Sequence, residues 1–263
     1  MPLIHSQVSN GIASLALVSP ETRNAISLQW GQEFRAACKT LIDDADQIRA
    51  VVISGQGRFF CAGGDVNLFA TSAHPDTTFR KLTDDLHTGL LALRSLDAPV
   101  IASVQGAAAG AGFSIALGAD LVIAASSATF TTAYTAIGLS CDGGCSYWLP
   151  RRVGSRLAME LMLTNRQVDA TEALKIGIVN EVVPDDELAH RTGELAEKIA
   201  NGPTAAYGAV KRLLELGEVS HSLEDQLERE ARTIAELGAG PTGREGVAAF
   251  VAKREPQFGK LRG

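Results

Sequence analysis

The 263-residue chain is predicted to adopt an α/β fold, and three features of its sequence predict it. Short runs rich in β-branched residues, Ala50-Val51-Val52-Ile53 and Pro99-Val100-Ile101-Ala102, are bounded by breakers and read as buried strands. Each leads into a glycine-rich turn, Phe59-Phe60-Cys61-Ala62-Gly63-Gly64-Asp65 and Gln105-Gly106-Ala107-Ala108-Ala109-Gly110-Ala111-Gly112, and then into a helical pattern. Past Asn201 strand periodicity stops and only helical periodicity remains. The expected organisation is a mixed core over residues 1–200 and an all-helical region over residues 201–263.

Element by element, Ile4 to Val8 and Ile12 to Val18 flank Asn10-Gly11, which supplies the positive φ angles of a tight hairpin. Pro20 to Ile26 reads as a connecting loop, and Ser27 as the N-cap of a helix through Leu41. Asp43-Asp44-Ala45-Asp46 is a polar break before the strand at Ala50. Asn67 to Thr78 mixes Thr, Ser, His, Pro and Asp with few apolar anchors, so a mobile, lid-like loop is expected there, ahead of a helix to Leu96. The strand at Pro99, a helix from Ala111, strands at Asp120 to Ala124 and Thr129 to Thr131, and a loop centred on Asp142-Gly143-Gly144 follow. Short helices are expected near Arg156 to Leu163 and Ala170 to Ile176. In the tail, Pro203 to Leu216, Ser222 to Leu237 and Gly243 to Val251 read as helices that pack across the core or a neighbouring subunit.

Composition narrows the function classes. A formal charge of −6 with scattered Lys and Arg argues against nucleic acid as a partner, although Arg23, Arg58, Lys253, Arg254 and Lys260 could gather round a phosphate. Cys38, Cys61, Cys141 and Cys145 have neither Cys-x-x-Cys spacing nor a histidine cluster, so no metal site is expected. Free thiols and the lack of a basic-then-apolar leader at Met1 to Ser6 point to a cytoplasmic protein. Pro99 to Ala119 holds no charged residue, but it is rich in Gly, Ala and Ser, carries Gln105, and is flanked by Asp97 and Asp120, so no membrane span is expected.

Small residues at strand ends let a ligand approach the main chain, and a helix N-terminus leaves donors unpaired. Two such turns can each lend a backbone N–H to one substrate oxygen, which is how negative charge developing on a carbonyl is stabilised. Glycine turns are also ordinary α/β architecture. Gly106-x-x-x-Gly110-x-Gly112 fits a nicotinamide-cofactor turn as well, but it lies mid-chain and no Tyr-x-x-x-Lys pair follows: Gly138 stands four residues after Tyr134 and Arg151 four after Tyr147.

Cys61-Ala62-Gly63-Gly64-Asp65, the Gln105 to Gly112 turn and Ala170-Thr171-Glu172-Ala173-Leu174-Lys175-Ile176-Gly177-Ile178-Val179-Asn180 together resemble the enoyl-CoA hydratase/isomerase (crotonase) superfamily. The resemblance runs from Pro20-Glu21-Thr22-Arg23-Asn24-Ala25 to Lys253-Arg254-Glu255-Pro256-Gln257-Phe258. It implies a spiral of ββα repeats with a C-terminal helical trimerisation region, a homotrimer or homohexamer, and no permanently bound cofactor, CoA being part of an acyl-CoA thioester substrate. It also implies that the N–H groups of Ala62 and Ala111 bind the thioester carbonyl, that Arg23, Ala25, Asp65 and Val66 line the CoA site, and that Phe258 lies near the adenine.

The departures are informative. The two glutamates used by hydratases of the superfamily would fall at Ser114 and Tyr134, and neither is a carboxylate here. Ser or Tyr at ordinary pKa is a poor acid/base near neutral pH, which argues against efficient hydration. Asp142 remains, in a segment that resembles the branch of dienoyl-CoA and ring-1,2-epoxyphenylacetyl-CoA isomerases, where an aspartate is the acid/base. By itself, Asp before Gly-Gly is commonly an Asx turn. The resemblance implies a double-bond isomerase in which Asp142 removes a proton at C4 of a 3-enoyl thioester and returns it at C2, with Ser114, Tyr134 and Leu139 as pocket residues. The alternatives are a hydratase with an atypical site, an aspartate nucleophile attacking an aryl halide, and a non-catalytic thioester binder.

Overall fold

In a computed structural model, which describes residues 1–219 and 222–260, the chain builds two sheets at different depths of one core. The strands β1 (Ile4–Ser9) and β2 (Ile12–Leu17) form the expected hairpin, with Asn10 and Gly11 at φ 51° and 77°. Ser27 caps α1 (Leu28–Asp43), its side chain accepting from the Trp30 N–H. The strand β3 (Ala50–Gly55) follows a 3-10 turn at Ala45–Gln47 and pairs in parallel with β2.

The segment expected to be a lid-like loop is mostly helical. Helix α2 (Val66–Thr71) is capped by Asp65, whose Oδ1 accepts the Asn67 N–H at 3.0 Å, and α3 (Pro75–Ser95) starts with proline at its first position. Phe69 stacks on Phe79 at 4.0 Å, so the apolar anchors that the composition obscures come from either side of a short connection.

Next come β4 (Val100–Val104), β5 (Ala107–Ala109), α4 (Ala111–Gly118), β6 (Leu121–Ala125) and β7 (Thr129–Thr131). The fold continues with α5 (Cys145–Val153), α6 (Ser155–Thr164), β8 (Val168–Asp169), α7 (Ala170–Lys175), β9 (Glu181–Val183) and α8 (Leu188–Ala200). Three tail helices, α9 (Thr204–Val219), α10 (Leu223–Ala239) and α11 (Pro241–Val251), complete it.

The larger sheet has the order β1-β2-β3-β4-β6-β9, and only its first pair is antiparallel. The smaller sheet, β5-β7-β8, extends through a bridge between Cys61 and Ala108, so Cys61, Ala108, Phe130 and Val168 lie side by side. Each turn of the chain thus gives one strand to the large sheet, a short one to the small sheet, and then a helix: β4-β5-α4 and β6-β7-α5 are two such ββα units. Trp30, Phe34, Phe113 and Phe130 fill the space between the layers, while Ala196, Ile199 and Ala200 of α8 cover Ala50 and Ile101 on the opposite face. Both faces of β4 are therefore buried, as its continuous apolar run requires. No helix among the described residues is long and apolar enough to cross a membrane.

Candidate active site

The two glycine turns meet at the end of the parallel strands. Gly63 has φ +91°, and a Cβ there would lie 2.8 Å from the Ala109 carbonyl oxygen, so only glycine lets the first turn lie against the second. Asn24, fully buried, fastens this region: its amide donates to the carbonyls of Gln56, Phe59 and Phe60 at 2.9–3.1 Å, and its Oδ1 accepts the Ser19 N–H.

One expected donor is not free. The Ala62 N–H donates to the Arg23 carbonyl at 3.0 Å, because Arg23 at φ 59° turns its C=O toward the strand end. The neighbouring bridge places Gly64 opposite Ile26, with Ile26 N–H donating to Gly63 O and Asp65 N–H to Ile26 O. In a parallel ladder that alternation turns the Gly64 N–H away from Ile26, and it has no acceptor among the described residues. Ala111, the first residue of α4, likewise keeps an unpaired N–H. Both residues line one cleft of about 390 Å³, together with Val66, Tyr134, Leu139 and Asp142.

Asp142 is the sole carboxylate among the described lining residues of this cleft. Its Oδ1 accepts the Tyr134 hydroxyl at 2.6 Å. The Ser114 Oγ lies 2.8 Å from the Tyr134 oxygen and 3.0 Å from the Asp142 carbonyl. A carboxylate only accepts, so the phenolic proton goes to Asp142, and the Ser114 proton is left for the Tyr134 oxygen or a backbone carbonyl. Burial, and next the Asp142 charge, push the Tyr134 phenol far above its ordinary range, so it remains a donor. The Asp142 Oδ2 has no protein partner among the described residues.

The remaining expected residues divide. Arg23 and Arg58 stand over Phe59, 5.6 and 5.8 Å from its ring centroid. Ala25 lies in the loop beside Arg23, and its N–H donates to Thr22 O at 3.2 Å. Asp65 is occupied as the cap of α2. Arg254 is held by both carboxylate oxygens of Glu245, and the side chain of Lys260 lies outside the described residues. Phe258 is not brought to the cleft within one chain: it packs on Gly246 and lines a different groove with Arg49 and Pro241. No cluster of three or more potential metal ligands occurs among the described residues. Sequence reasoning missed Gly64, Asn24 and His87. The positive φ of the Arg23-Asn24 pair, which bears on the first two, is visible only in the folded backbone, and the role of His87 rests on a contact with Gly143 across 56 positions.

Residues 7–261 match the profile of the enoyl-CoA hydratase/isomerase family. The chain belongs to this family. It is 42% identical over 256 residues, 97% of each chain, to a probable enoyl-CoA hydratase of Rhodobacter capsulatus. It is 37% identical, over 98% of each chain, to the 1,2-epoxyphenylacetyl-CoA isomerase of Escherichia coli. A solved structure of an enoyl-CoA hydratase from a Polaromonas species superposes with a TM-score of 0.90, 34% identity, and coverage of 97% of this chain and 98% of the other. The two sheets and their ββα units are therefore a crotonase fold, and the chain is an acyl-CoA enzyme of that superfamily.

Proposed function

We propose that this crotonase-family chain is an enoyl-CoA double-bond isomerase in which Asp142 is the single acid/base and the Gly64 and Ala111 N–H groups hold the thioester oxygen. The observation that carries the reading is the lone carboxylate: Asp142 lines the cleft, while Ser114 and Tyr134 are spent on positioning it. With a 3-enoyl thioester, the proton that conjugates with the carbonyl when lost is at C2, not C4. The order expected from the sequence is therefore reversed. Asp142 Oδ2 takes the C2 proton, and the C–H electron pair moves into the C1–C2 bond. The thioester oxygen becomes anionic between the two N–H donors, and the proton returns to C4, leaving a C2=C3 double bond. One carboxylate serves both half-reactions, and no water is consumed.

Arg23 and Arg58, which flank Phe59, are suited to the phosphates of CoA. The exposed apolar side chains of α9 to α11 support self-association through these helices as a trimer or hexamer. Hydration is the second reading, favoured by the similarity to the probable enoyl-CoA hydratase of Rhodobacter capsulatus.

The deciding experiment incubates a 3-enoyl-CoA and a 2-enoyl-CoA in D2O, with mass spectrometry and absorbance of the conjugated product, for the wild type and Asp142→Asn. Conversion of the 3-enoyl ester that depends on Asp142, with label at C2 or C4 and no added water, is expected. Mass gain by one water on the 2-enoyl ester would make the chain a hydratase.

A further inference from the structure

The loop that carries Asp142 is held from behind by a group the proposed chemistry does not touch. The Gly143 N–H donates to His87 Nε2 at 3.1 Å, from α3. His87 and Gly143 line a second cavity of about 440 Å³, and their chain neighbours Leu86 and Asp142 line the cleft. The Leu86-His87 and Asp142-Gly143 pairs thus each face both spaces, and this hydrogen bond joins the two pairs. The Asp142 carbonyl is fixed separately, by the Ser114 hydroxyl at 3.0 Å and the Cys145 N–H at 3.1 Å. Gly143 and Gly144 have φ of 58° and 82°, and a Cβ on Gly143 would meet the Ser114 Cβ at 2.8 Å. The Gly143 N–H belongs to the same peptide plane as the Asp142 carbonyl, so His87 holds the opposite edge of that plane from the α3 side.

We propose, on the reading of Asp142 as the acid/base, that His87 is a positioning residue: its unprotonated Nε2 accepts the Gly143 N–H, sets the Asp142 carboxylate against the substrate, and releases the turn when protonated. An imidazole nitrogen that accepts a hydrogen bond carries no proton, and the imidazolium has only donors to offer. His87 is exposed and lines the second cavity, not the cleft that Asp142 lines. The charged and titratable groups that share its cavity are Arg94 of α3, Asp120 before β6, Tyr147 of α5 and Glu215 of α9, and Asp142 adjoins its partner Gly143 in the loop. Arg94 pairs with Asp120 at 2.9 Å and Glu215 at 3.2 Å, and on the helix of His87 Arg80 pairs with Asp84.

The test follows the Gly143 amide by NMR in protein labelled with 15N-glycine from about pH 5 to 8, where histidine side chains change charge, alongside the pH profile of kcat. The wild type is expected to show a Gly143 resonance that titrates and a kcat that falls on the acid side. His87→Gln, whose amide oxygen accepts at every pH in this range, should lose both pH effects. His87→Ala should lower kcat about three- to tenfold, with KM nearly unchanged, and His87→Gln should recover most of that loss. A Gly143 resonance that ignores pH, or an acid limb that survives in His87→Gln, overturns the proposal. The amide titration does not depend on turnover, so a wild type that isomerises no thioester sinks the reading of Asp142 while the resonance still decides the role of His87.

Discussion

At the scale of single residues, the arrangement of Tyr134, Ser114 and Asp142 supports the proposal that a site without the glutamate pair of hydratases moves protons through one carboxylate. A phenol that stays protonated holds one carboxylate oxygen at 2.6 Å, and the other has no partner among the described residues. Tyr134→Phe removes a hydrogen bond to a charged group, worth about 1.5–3 kcal/mol, so the rate of deuterium incorporation at C2 should fall at least about tenfold while binding of the CoA ester changes little. An unchanged exchange rate would refute this role. The raised phenol also has a sign in pH. Its stabilising effect is complete below the ordinary tyrosine value of about 10 and is lost as pH rises beyond it. Ultraviolet titration of the three tyrosines should therefore show Tyr134 ionising only as the chain unfolds. Asp142 was legible in the sequence only through the resemblance of its segment to the isomerase branch, since Asp before Gly-Gly by itself reads as an Asx turn. The choice of Gly64 over Ala62 was not, because which N–H is free depends on the bridge to Ile26 and on the Arg23 carbonyl.

At the scale of elements, the lid-like segment shows how composition misleads. Residues 67–78 are polar, yet a capping aspartate, a proline at the first helical position and one stacked phenylalanine pair turn most of them into helix. Asp65→Ala should destabilise α2 by about 1 kcal/mol and speed hydrogen exchange across Val66–Thr71 without altering exchange in α4. Equal protection in both proteins would show that the cap contributes nothing. The short strands β5, β8 and β9, two or three residues each, carry too little pattern to be read in advance. The hairpin, the Ser27 cap and the strands at Ala50 and Val100 were readable because their signals are local.

At the scale of the whole molecule, the tail is fastened to the core by charge. Lys211 of α9 is nearly buried and donates to the carbonyls of Leu96 and Ala98 and to Asp120 at 2.8–3.1 Å. Lys211→Met should cost about 3 kcal/mol, seen as a lower Tm, because two carbonyls and a carboxylate lose their donor. The opposite side of the tail is apolar and open: Leu223, Ile234, Phe250 and Val251 are exposed. Sedimentation should show a species of three or six times the 27.6 kDa chain, and Ile234→Asp with Phe250→Asp should release monomers. A wild type that sediments as one chain would end this expectation.

The sequence by itself determined the α/β class, the two strand-end turns, the helical tail and the lone carboxylate, because periodicity, turn chemistry and residue type are properties of short stretches. Only the tertiary structure decided which backbone donors are free, that Tyr134 and Ser114 serve Asp142, that His87 stands behind Gly143, and that Phe258 lies outside the cleft. Those facts join residues 8 to 56 positions apart, or separate one from them, and a local pattern carries no information about which side chains and amides the fold pairs.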